Sequence, residues 1–253
     1  MAYNFKSESE IKDYINNLGI EYRFGCYSEK KPEVCHLLAD FLESIKKDYE
    51  KAGKVYKNNC DEYKYGKSCL KYGTYSLLAK GTKQADFKLA YDYFEKGCNL
   101  NEPDSCLNQG LLLIAKNDRP EIQQDVLKGM TLLEKACKNK NGNACYYLSG
   151  MYIVGVKKDQ SSGGNIIPNL VDNSKPEEFD IPKNMKKAYE FALEGCNLGN
   201  MYSCANLSRM YAKGEGVPMN QDLAEKYKNR ALEMQKEVQS NKTLTFQEGL
   251  TPT

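Results

Sequence analysis

Apolar residues recur at the spacing of an α-helix along most of the chain, and short polar or glycine-containing turns separate the stretches. The first stretch runs from Glu8 to Leu18, and Gly19 is expected to end it. Ser7 and Glu10 have the spacing of a capping box at its start. One face of this helix carries Ile11, Tyr14, Ile15 and Leu18. The pattern therefore predicts an amphipathic helix that buries one side.

The pattern repeats when the chain is aligned on its cysteines. Small residues stand four positions after the second cysteine of each pair, at Ala39, Gly73, Gly110, Ser149 and Ser208. Large apolar or aromatic residues stand six positions after it, at Phe41, Tyr75, Leu112, Met151 and Met210. Small residues let two helices approach closely, and large residues nearby fill the remaining space. We therefore predict a repeat of helix pairs.

All 10 cysteines fall into pairs that straddle a predicted turn between two helices. The pairs are Cys26–Cys35, Cys60–Cys69, Cys98–Cys106, Cys137–Cys145 and Cys196–Cys204. Such regular spacing is typical of a disulfide framework, which restricts the unfolded chain and stabilises small hairpins. We interpret the pairs as structural, with redox exchange as the alternative, because no Cys-x-x-Cys motif is present.

The intervals between the pairs predict the domain organisation. We expect one solenoid over residues 1–239, with repeats at about 8–44, 45–80, 84–116, 123–155 and 184–214 and a capping helix at 220–239. Residues 156–183 are rich in Ser, Gly and Pro and are expected to form a flexible insertion loop. The polar residues 240–253 are expected to form a disordered tail.

Charge and composition exclude several classes of partner. The formal net charge is +2, from 36 basic and 34 acidic residues that are finely interspersed. This balance gives no basic patch for nucleic acid, and no apolar run is long enough to span a bilayer. The first residues also lack the features of a secretory signal. Paired cysteines without a signal favour the mitochondrial intermembrane space, and the alternative is a secreted chain whose signal was removed, against which Met1 argues.

Few residues are candidates for chemistry. The Cys pairs are too widely spaced for a zinc site, so we expect no metal. Ser-x-x-Lys motifs begin at Ser9, Ser28 and Ser44 but lack the companion motifs of a hydrolase, and no histidine stands near a plausible nucleophile. We therefore expect no catalytic residues. His36 is the one histidine, and it is interpreted as a partly exposed polar residue, with axial ligation of a haem as the alternative.

The 19 tyrosines divide into two groups. Those at repeat core positions are expected to fill space, namely Tyr56, Tyr75, Tyr93, Tyr152 and Tyr211. Those outside the repeat register are candidates for a binding surface, although a core or rim position is favoured for each, namely Tyr63, Tyr65, Tyr72 and Tyr147.

The closing repeat resembles a known family. Residues 211–217, with the sequence Tyr-Ala-Lys-Gly-Glu-Gly-Val, followed by Asp222 and Ala224, are similar to the Sel-one-like repeat, a relative of the tetratricopeptide repeat. The resemblance implies an all-α, right-handed superhelical solenoid of five disulfide-stapled helix-turn-helix repeats with a C-terminal capping helix. Its concave face would bind protein partners.

The five cysteine pairs together with this ending resemble a branch of the family that acts in the mitochondrial intermembrane space. Members of that branch support the biogenesis of cytochrome c oxidase. The resemblance implies a monomeric protein-binding scaffold, imported by the oxidative import machinery, whose partners are oxidase assembly proteins and which needs no cofactor. The alternative is a thiol-disulfide reductase, associated with haem through His36, that acts on oxidase subunits or copper chaperones.

Overall fold

A computed structural model describes residues 7–115, 121–157 and 179–243. Within these ranges the chain forms eleven α-helices and one pair of short strands. They belong to two compact units. The first unit holds α1 to α5 and most of α6, and the second unit holds α7 to α11 and the strands.

The first unit consists of three helical hairpins. Its helices are α1 (Glu8–Tyr27), α2 (Pro32–Ser44), α3 (Tyr49–Asp61), α4 (Gly66–Leu77), α5 (Phe87–Asn99) and α6 (Pro103–Ile114). Hairpin one is α1–α2, hairpin two is α3–α4 and hairpin three is α5–α6. Residues at equivalent repeat positions form the core, and Ala52, Tyr56, Ala90 and Phe94 are all 0 % exposed. The alternation of small and large residues in the sequence is therefore a packing pattern.

The second unit contains two more hairpins and a long final helix. Its elements are α7 (Val126–Lys138), α8 (Gly142–Val154), β1 (Val156–Lys157), β2 (Phe179–Ile181), α9 (Met185–Asn197), α10 (Met201–Lys213) and α11 (Gln221–Thr243). Hairpin four is α7–α8 and hairpin five is α9–α10. The final helix extends beyond the predicted capping segment 220–239. The remaining tail residues, 244–253, lie outside the described residues.

The first helix of hairpins two to five begins at an Asp or Asn cap. Each cap stands the same number of residues before the first cysteine of its hairpin, and its side chain accepts a hydrogen bond from a backbone N–H of the first turn. The caps are Asp48, Asp86, Asp125 and Asn184. Such caps satisfy a donor that the helix itself leaves unpaired. The capped start of the first helix is therefore as regular a feature of the repeat as its cysteine.

The prediction that Gly19 ends the first helix is wrong, because α1 continues to Tyr27. Gly19 is instead buried against Phe41 of α2, where an added Cβ would lie 2.9 Å from two ring carbons. The glycine is required by this close approach and not by a helix end. Ser7 occupies the cap position, but its side chain makes no capping hydrogen bond, so the predicted capping box is also wrong.

The segment 156–183, predicted as a flexible loop, begins and ends in a short antiparallel ladder. Val156 of β1 pairs with Ile181 of β2, and Ile181 is 3 % exposed. The Asn184 backbone N–H donates to the Tyr152 carbonyl at 2.8 Å, which connects the end of the segment to α8. Residues 158–178 of the predicted loop lie outside the described residues.

Candidate functional site: the disulfide clasps and the surfaces beside them

Each hairpin is closed by a disulfide next to its interhelical turn, and we call this bridge and turn the clasp of the hairpin. The structure joins the five cysteine pairs named from the sequence, with Cα–Cα distances of 4.5–4.9 Å. None of the ten cysteines is more than 3 % exposed. The bridges are therefore enclosed by the helices that they join.

The five clasps share one backbone geometry. The residue five positions before the second cysteine has a positive φ in every hairpin; these residues are Lys30, Lys64, Asn101, Lys140 and Gly199, with φ values from 54° to 84°. The next residue donates its backbone N–H to the carbonyl of the residue that precedes the first cysteine, at 2.9–3.3 Å. Only the fifth clasp has glycine at the left-handed position, where other residues are strained. The sequence of the turns therefore varies while their shape does not.

A glycine before the first cysteine allows the helices of hairpins three and five to touch. An added Cβ at Gly97 would lie 2.2 Å from Ser105 Oγ, and one at Gly195 would lie 2.3 Å from Ser203 Oγ. Real Cβ atoms do not approach so closely, so these positions exclude any side chain. Both serines are 0 % exposed, and within the described residues neither hydroxyl has a hydrogen-bond partner.

The second clasp replaces this glycine by Asn59 and is built differently. Asn59 Nδ2 donates to Ser68 Oγ at 2.7 Å and to the Pro32 carbonyl at 2.8 Å. Ser68 Oγ also lies 2.9 Å from His36 Nδ1. Ser68 Oγ therefore links Asn59 and His36 in one chain of hydrogen bonds. A buried polar network therefore takes the place of the glycine contact.

His36 is enclosed by this network and by two aromatic rings. Its ring centroid lies 5.4 Å from those of Tyr56 and Tyr65, its Nε2 lies 3.7 Å from Asp40 Oδ2, and its side chain is 13 % exposed. Burial lowers the pKa of the imidazole, although Asp40 opposes this effect. The surroundings do not fit an axial haem ligand, because one ring nitrogen bonds Ser68 and the other faces Asp40.

The contact corrects one statement drawn from the sequence. No histidine was expected near a plausible nucleophile, yet Ser68, His36 and Asp40 form a Ser–His–Asp series. His36 and Ser68 are 32 residues apart, so their contact could not be inferred from a local sequence pattern. A catalytic serine must reach its substrate, whereas Ser68 is 0 % exposed beneath Asn59 and beside the Cys60–Cys69 bridge. The series therefore stabilises the fold and offers no site for hydrolysis.

Acidic and basic side chains meet beside His36. The Tyr56 hydroxyl donates to Asp40 and, at 3.1 Å, to Glu43, and Glu43 also pairs with Lys71 and Lys80. Burial works against ionisation of Glu43, but the hydrogen bonds from Lys80 and Lys71 outweigh it and lower its pKa to about 2. Burial and the Asp40 hydrogen bond raise the pKa of Tyr56 far above its ordinary value. The cluster is a fixed ion-pair network with a neutral tyrosine at its centre.

A second network joins hairpins two and three. Asp61 accepts from the Tyr93 hydroxyl, from Lys57 and from Lys96, at 2.6, 2.8 and 2.6 Å. Burial opposes ionisation of Asp61, but hydrogen bonds from the two lysines and the tyrosine lower its pKa well below the usual range. The Lys96 ammonium also lies 4.1 Å from the centre of the Tyr93 ring. These contacts hold neighbouring hairpins together without a bridge between them.

The tyrosines follow the repeat register in part. Tyr56, Tyr75, Tyr93 and Tyr152 are at most 6 % exposed, as predicted for core positions. Tyr211 is only half-buried and stacks on Tyr227 at 5.7 Å. The four tyrosines proposed for a binding surface, namely Tyr63, Tyr65, Tyr72 and Tyr147, are also half-buried. They contact neighbouring aromatic residues or the core, which is the alternative that the sequence favoured.

The second unit carries an open groove between α10 and α11. Its lining residues are Met201, Tyr202, Ala205, Ser208, Lys228, Ala231, Leu232 and Gln235, and its volume is about 340 Å³. Tyr202 and Leu232 are 55 % and 43 % exposed. Exposed large apolar side chains along a groove are a feature of docking sites. The groove was not predicted from the sequence, because the helix at 220–239 was interpreted as a cap with a polar back.

Among residues 7–115, 121–157 and 179–243, no group of three or more His, Cys, Asp or Glu side chains is placed to hold a metal ion. Over the same ranges, no helix combines the length and apolar character needed to cross a membrane.

Comparison with solved structures supports the repeat fold. A Sel1 repeat protein from Oxalobacter formigenes is similar with a TM-score of 0.66 over 88 % of this chain and 83 % of that protein, at 17 % identity. A protective antigen of uropathogenic Escherichia coli is similar with a TM-score of 0.64 over 86 % of this chain and 40 % of that protein, at 15 % identity. The predicted all-α fold of disulfide-bonded Sel-one-like hairpins is thereby confirmed.

Comparison with known sequences identifies the family. The Sel1 repeat matches residues 62–102, 117–141, 177–200 and 202–235. The "cytochrome c oxidase assembly factor 7 homolog" of Drosophila melanogaster is 54 % identical over 99 % of this chain and 98 % of the relative. The Homo sapiens "cytochrome c oxidase assembly factor 7" is 33 % identical over 96 % of this chain and 97 % of the relative. The chain therefore belongs to the cytochrome c oxidase assembly factor 7 family and is built from Sel1 repeats.

Proposed function

We propose that the protein supports the biogenesis of cytochrome c oxidase in the mitochondrial intermembrane space, as a helical-repeat scaffold that binds other proteins. The observation that carries this proposal is the match to relatives named as assembly factors over 99 % of the chain. A match of that extent covers every hairpin, so the proposal does not depend on a single shared motif.

The bridges support the intermembrane space as the compartment. Disulfides form and persist in oxidising environments and are rare in the cytosol. All ten cysteines are bridged in the structure, and the bridges clasp hairpins that would otherwise bury little surface each. An oxidative import pathway would therefore couple folding of the hairpins to retention in that compartment.

Burial of the sulfur atoms favours a scaffold over a thiol-disulfide reductase. Exchange requires a thiolate to reach a disulfide sulfur. None of the cysteines is more than 3 % exposed, and each bridge lies under the turn of its own hairpin. His36, the candidate link to haem, is engaged by Ser68 and faces Asp40. Both features support the structural role of the clasps.

Depletion of the protein in its own cells tests the proposal. We expect cytochrome c oxidase activity and the fully assembled complex on native gels to fall, and succinate dehydrogenase to stay unchanged as the control. Rescue by the unsubstituted chain should restore oxidase. A variant with all ten cysteines replaced by serine should neither accumulate in mitochondria nor rescue. Normal oxidase levels after complete depletion would overturn the proposal.

Protease protection tests the compartment separately. The protein should resist protease in intact mitochondria and become digestible once the outer membrane is ruptured by swelling. A matrix protein serves as the control that stays protected in both conditions. Protection that persists after rupture of the outer membrane would contradict the proposed location.

A further inference from the structure

The contacts between α8 and hairpin five show how one hairpin docks on the preceding one. Gly142 of α8 lies under the turn of hairpin five, since an added Cβ would lie 3.2 Å from Leu198 Cβ and 3.4 Å from Asn200 Cβ. Asn200 Nδ2 donates to Asn143 Oδ1 at 2.8 Å. Further along α8, the Tyr146 ring lies 5.5 Å from that of Tyr202. The outer face of α8 is therefore an interface for the next hairpin.

The same surface exists one repeat later, and within the described residues nothing occupies it. Counted from the second cysteine of each hairpin, Met201, Tyr202 and Ala205 of α10 are equivalent to Gly142, Asn143 and Tyr146 of α8. All three α10 residues line the α10–α11 groove. The groove therefore continues the interface on which hairpin five itself docks.

The other wall of the groove is equivalent to the inner face of α9. Asn220 caps α11 by accepting from the Leu223 backbone N–H at 3.0 Å, as Asn184 caps α9. Counted from these caps, Ala231 and Leu232 are equivalent to Gly195 and Cys196, which contact and bind α10. The side of α11 that lines the groove is thus the side on which a second helix would pack.

The chain does not supply that second helix where the earlier repeats do. The first helix of hairpin five ends at Asn197 and the chain turns back, whereas α11 continues without a turn to Thr243. Leu232 stands at the cysteine position but has no bridging partner, and it remains 43 % exposed. A glycine under the next turn, as at Gly142, is also replaced by Met201. The first two differences leave the groove open, and the third keeps a following turn from packing as closely as it does at Gly142.

We infer that the α10–α11 groove binds an amphipathic α-helix of a partner protein, which takes the place of the second helix of a sixth hairpin. The lining is mainly apolar, so the bound helix presents a stripe of apolar and small residues spaced at three and four positions. Lys228 and Gln235 are the polar residues that α11 contributes to the lining, and Ser208 of α10 is already bonded to the Ala224 carbonyl. This inference rests on the proposed role as a protein-binding scaffold and names its contact surface.

A peptide copied from the chain provides the probe. α10 is the helix that packs on the equivalent surface of α8 and α9, so a synthetic peptide of residues 200–213 with Cys204→Ala should bind the groove of the full-length protein. Binding is followed by chemical-shift changes in ¹⁵N-labelled protein, and a peptide of the same composition in scrambled order is the control. We expect the shifts to map to residues 201–208 and 228–235.

Two substitutions on α11 make the test specific. Leu232→Glu places a charge in the groove and should weaken binding by about tenfold or more. Val238→Glu lies on the same helix outside the groove lining and is similarly exposed, at 47 %, so it should leave binding within about twofold. Both residues are exposed, so neither variant is expected to unfold the protein. A Leu232→Glu variant that binds as well as the unsubstituted protein would overturn the inference.

Other occupants give different results. A concentration-dependent dimer that Leu232→Glu abolishes would show that a second copy fills the groove, and binding only after deletion of residues 244–253 would show that the tail does. Either result overturns the inference. Rescue of oxidase in depleted cells separates it from the proposed function. If Leu232→Glu rescues fully, the groove inference fails and the assembly role stands; if depletion has no effect on oxidase, the assembly role fails whatever the peptide does.

Discussion

Hairpins two and five have the same clasp but solve the packing of their helices in opposite ways. In hairpin five, Gly195 has no side chain and Ser203 fills the space, with its hydroxyl unpaired among the described residues. In hairpin two, Asn59 occupies the glycine position and hydrogen-bonds Ser68, which in turn contacts His36. The turn geometry and the buried bridge are the same in both.

The difference shows which parts of the repeat are fixed. The disulfide and the left-handed turn residue are present in all five hairpins, whereas the contact beside the bridge varies with its neighbours. Asn59 is tolerated because its Nδ2 group finds two acceptors, Ser68 Oγ and the carbonyl of Pro32 in the preceding hairpin, even though its Oδ1 is buried with no hydrogen-bond partner among the described residues. A buried polar group without partners would cost more than a well-packed glycine contact.

Removal of the bridge should have the largest effect and should be similar in both hairpins. We expect the paired variants Cys60→Ala/Cys69→Ala and Cys196→Ala/Cys204→Ala to lose about 2–4 kcal/mol of local stability each, because loops of similar length are released. Hydrogen exchange of the amides in the affected hairpin measures this loss. Unchanged protection in either hairpin would show that its bridge is dispensable.

A methyl group at the fifth clasp should have the next largest effect. The added Cβ of Gly195→Ala would lie 2.3 Å from Ser203 Oγ and 3.3 Å from Cys145 Cβ, so overpacking should cost about 1–3 kcal/mol. Gly150→Ala in α8 is the matched control, because nothing lies within 4 Å of its added Cβ. That control should stabilise the helix by about 0.5–1 kcal/mol. Urea unfolding compares the two, and equal midpoints would contradict the close-contact argument.

Conversion of the second clasp to the glycine form should be destabilising rather than neutral. Asn59→Gly removes the hydrogen bonds to Ser68 and Pro32 and leaves Ser68 with His36 alone, so we expect a loss of about 1–2 kcal/mol. Asn58→Gly, at an exposed position of the same helix, measures the cost of glycine in the backbone. If the two variants unfold at the same urea concentration, the network contributes nothing.

The smallest effect concerns pH and occurs only in the region of hairpin two. Burial lowers the pKa of His36 in the folded state from its ordinary 6.5, so the unfolded chain binds the proton more readily. Stability should therefore be constant above about pH 6.5 and should fall as the pH drops below it toward the folded pKa. His36→Gln should remove this dependence while leaving hairpin five unaffected. Persistence of the slope in the variant would assign it to another group.

Most of the fold could be predicted from the spacing of the cysteines. A pair of cysteines eight or nine residues apart, flanked by helical periodicity, leaves room for one tight turn, and all five turns lie where the pairs placed them. Gly19 was misread because a glycine that ends a helix and a glycine that admits a neighbouring ring look alike in sequence. The Asp and Asn caps were visible at a constant distance from the cysteines but were not recognised as part of the repeat.

The sites depended on contacts that a sequence does not display. Ser68 and His36 are 32 residues apart and lie in different hairpins, so no local pattern links them. The α10–α11 groove depends on the absence of a turn after Leu232, and a long amphipathic helix alone does not reveal which of its faces stays uncovered. Ala205 and Tyr146 each stand one residue after the second cysteine of their hairpin, which the sequence shows. That this position faces the following hairpin is known only from the Tyr146–Tyr202 contact in the structure.

The claim that the clasps are closed structural elements is tested most directly by counting thiols in the native protein during a redox titration. The account predicts that a maleimide reagent labels no cysteine before unfolding, and that all five bridges resist reduction until the potential falls below roughly −300 mV, as buried structural disulfides do. Mass spectrometry assigns any label to its hairpin. Reduction of even one bridge at the potential of the glutathione pool would contradict the account and favour a redox function.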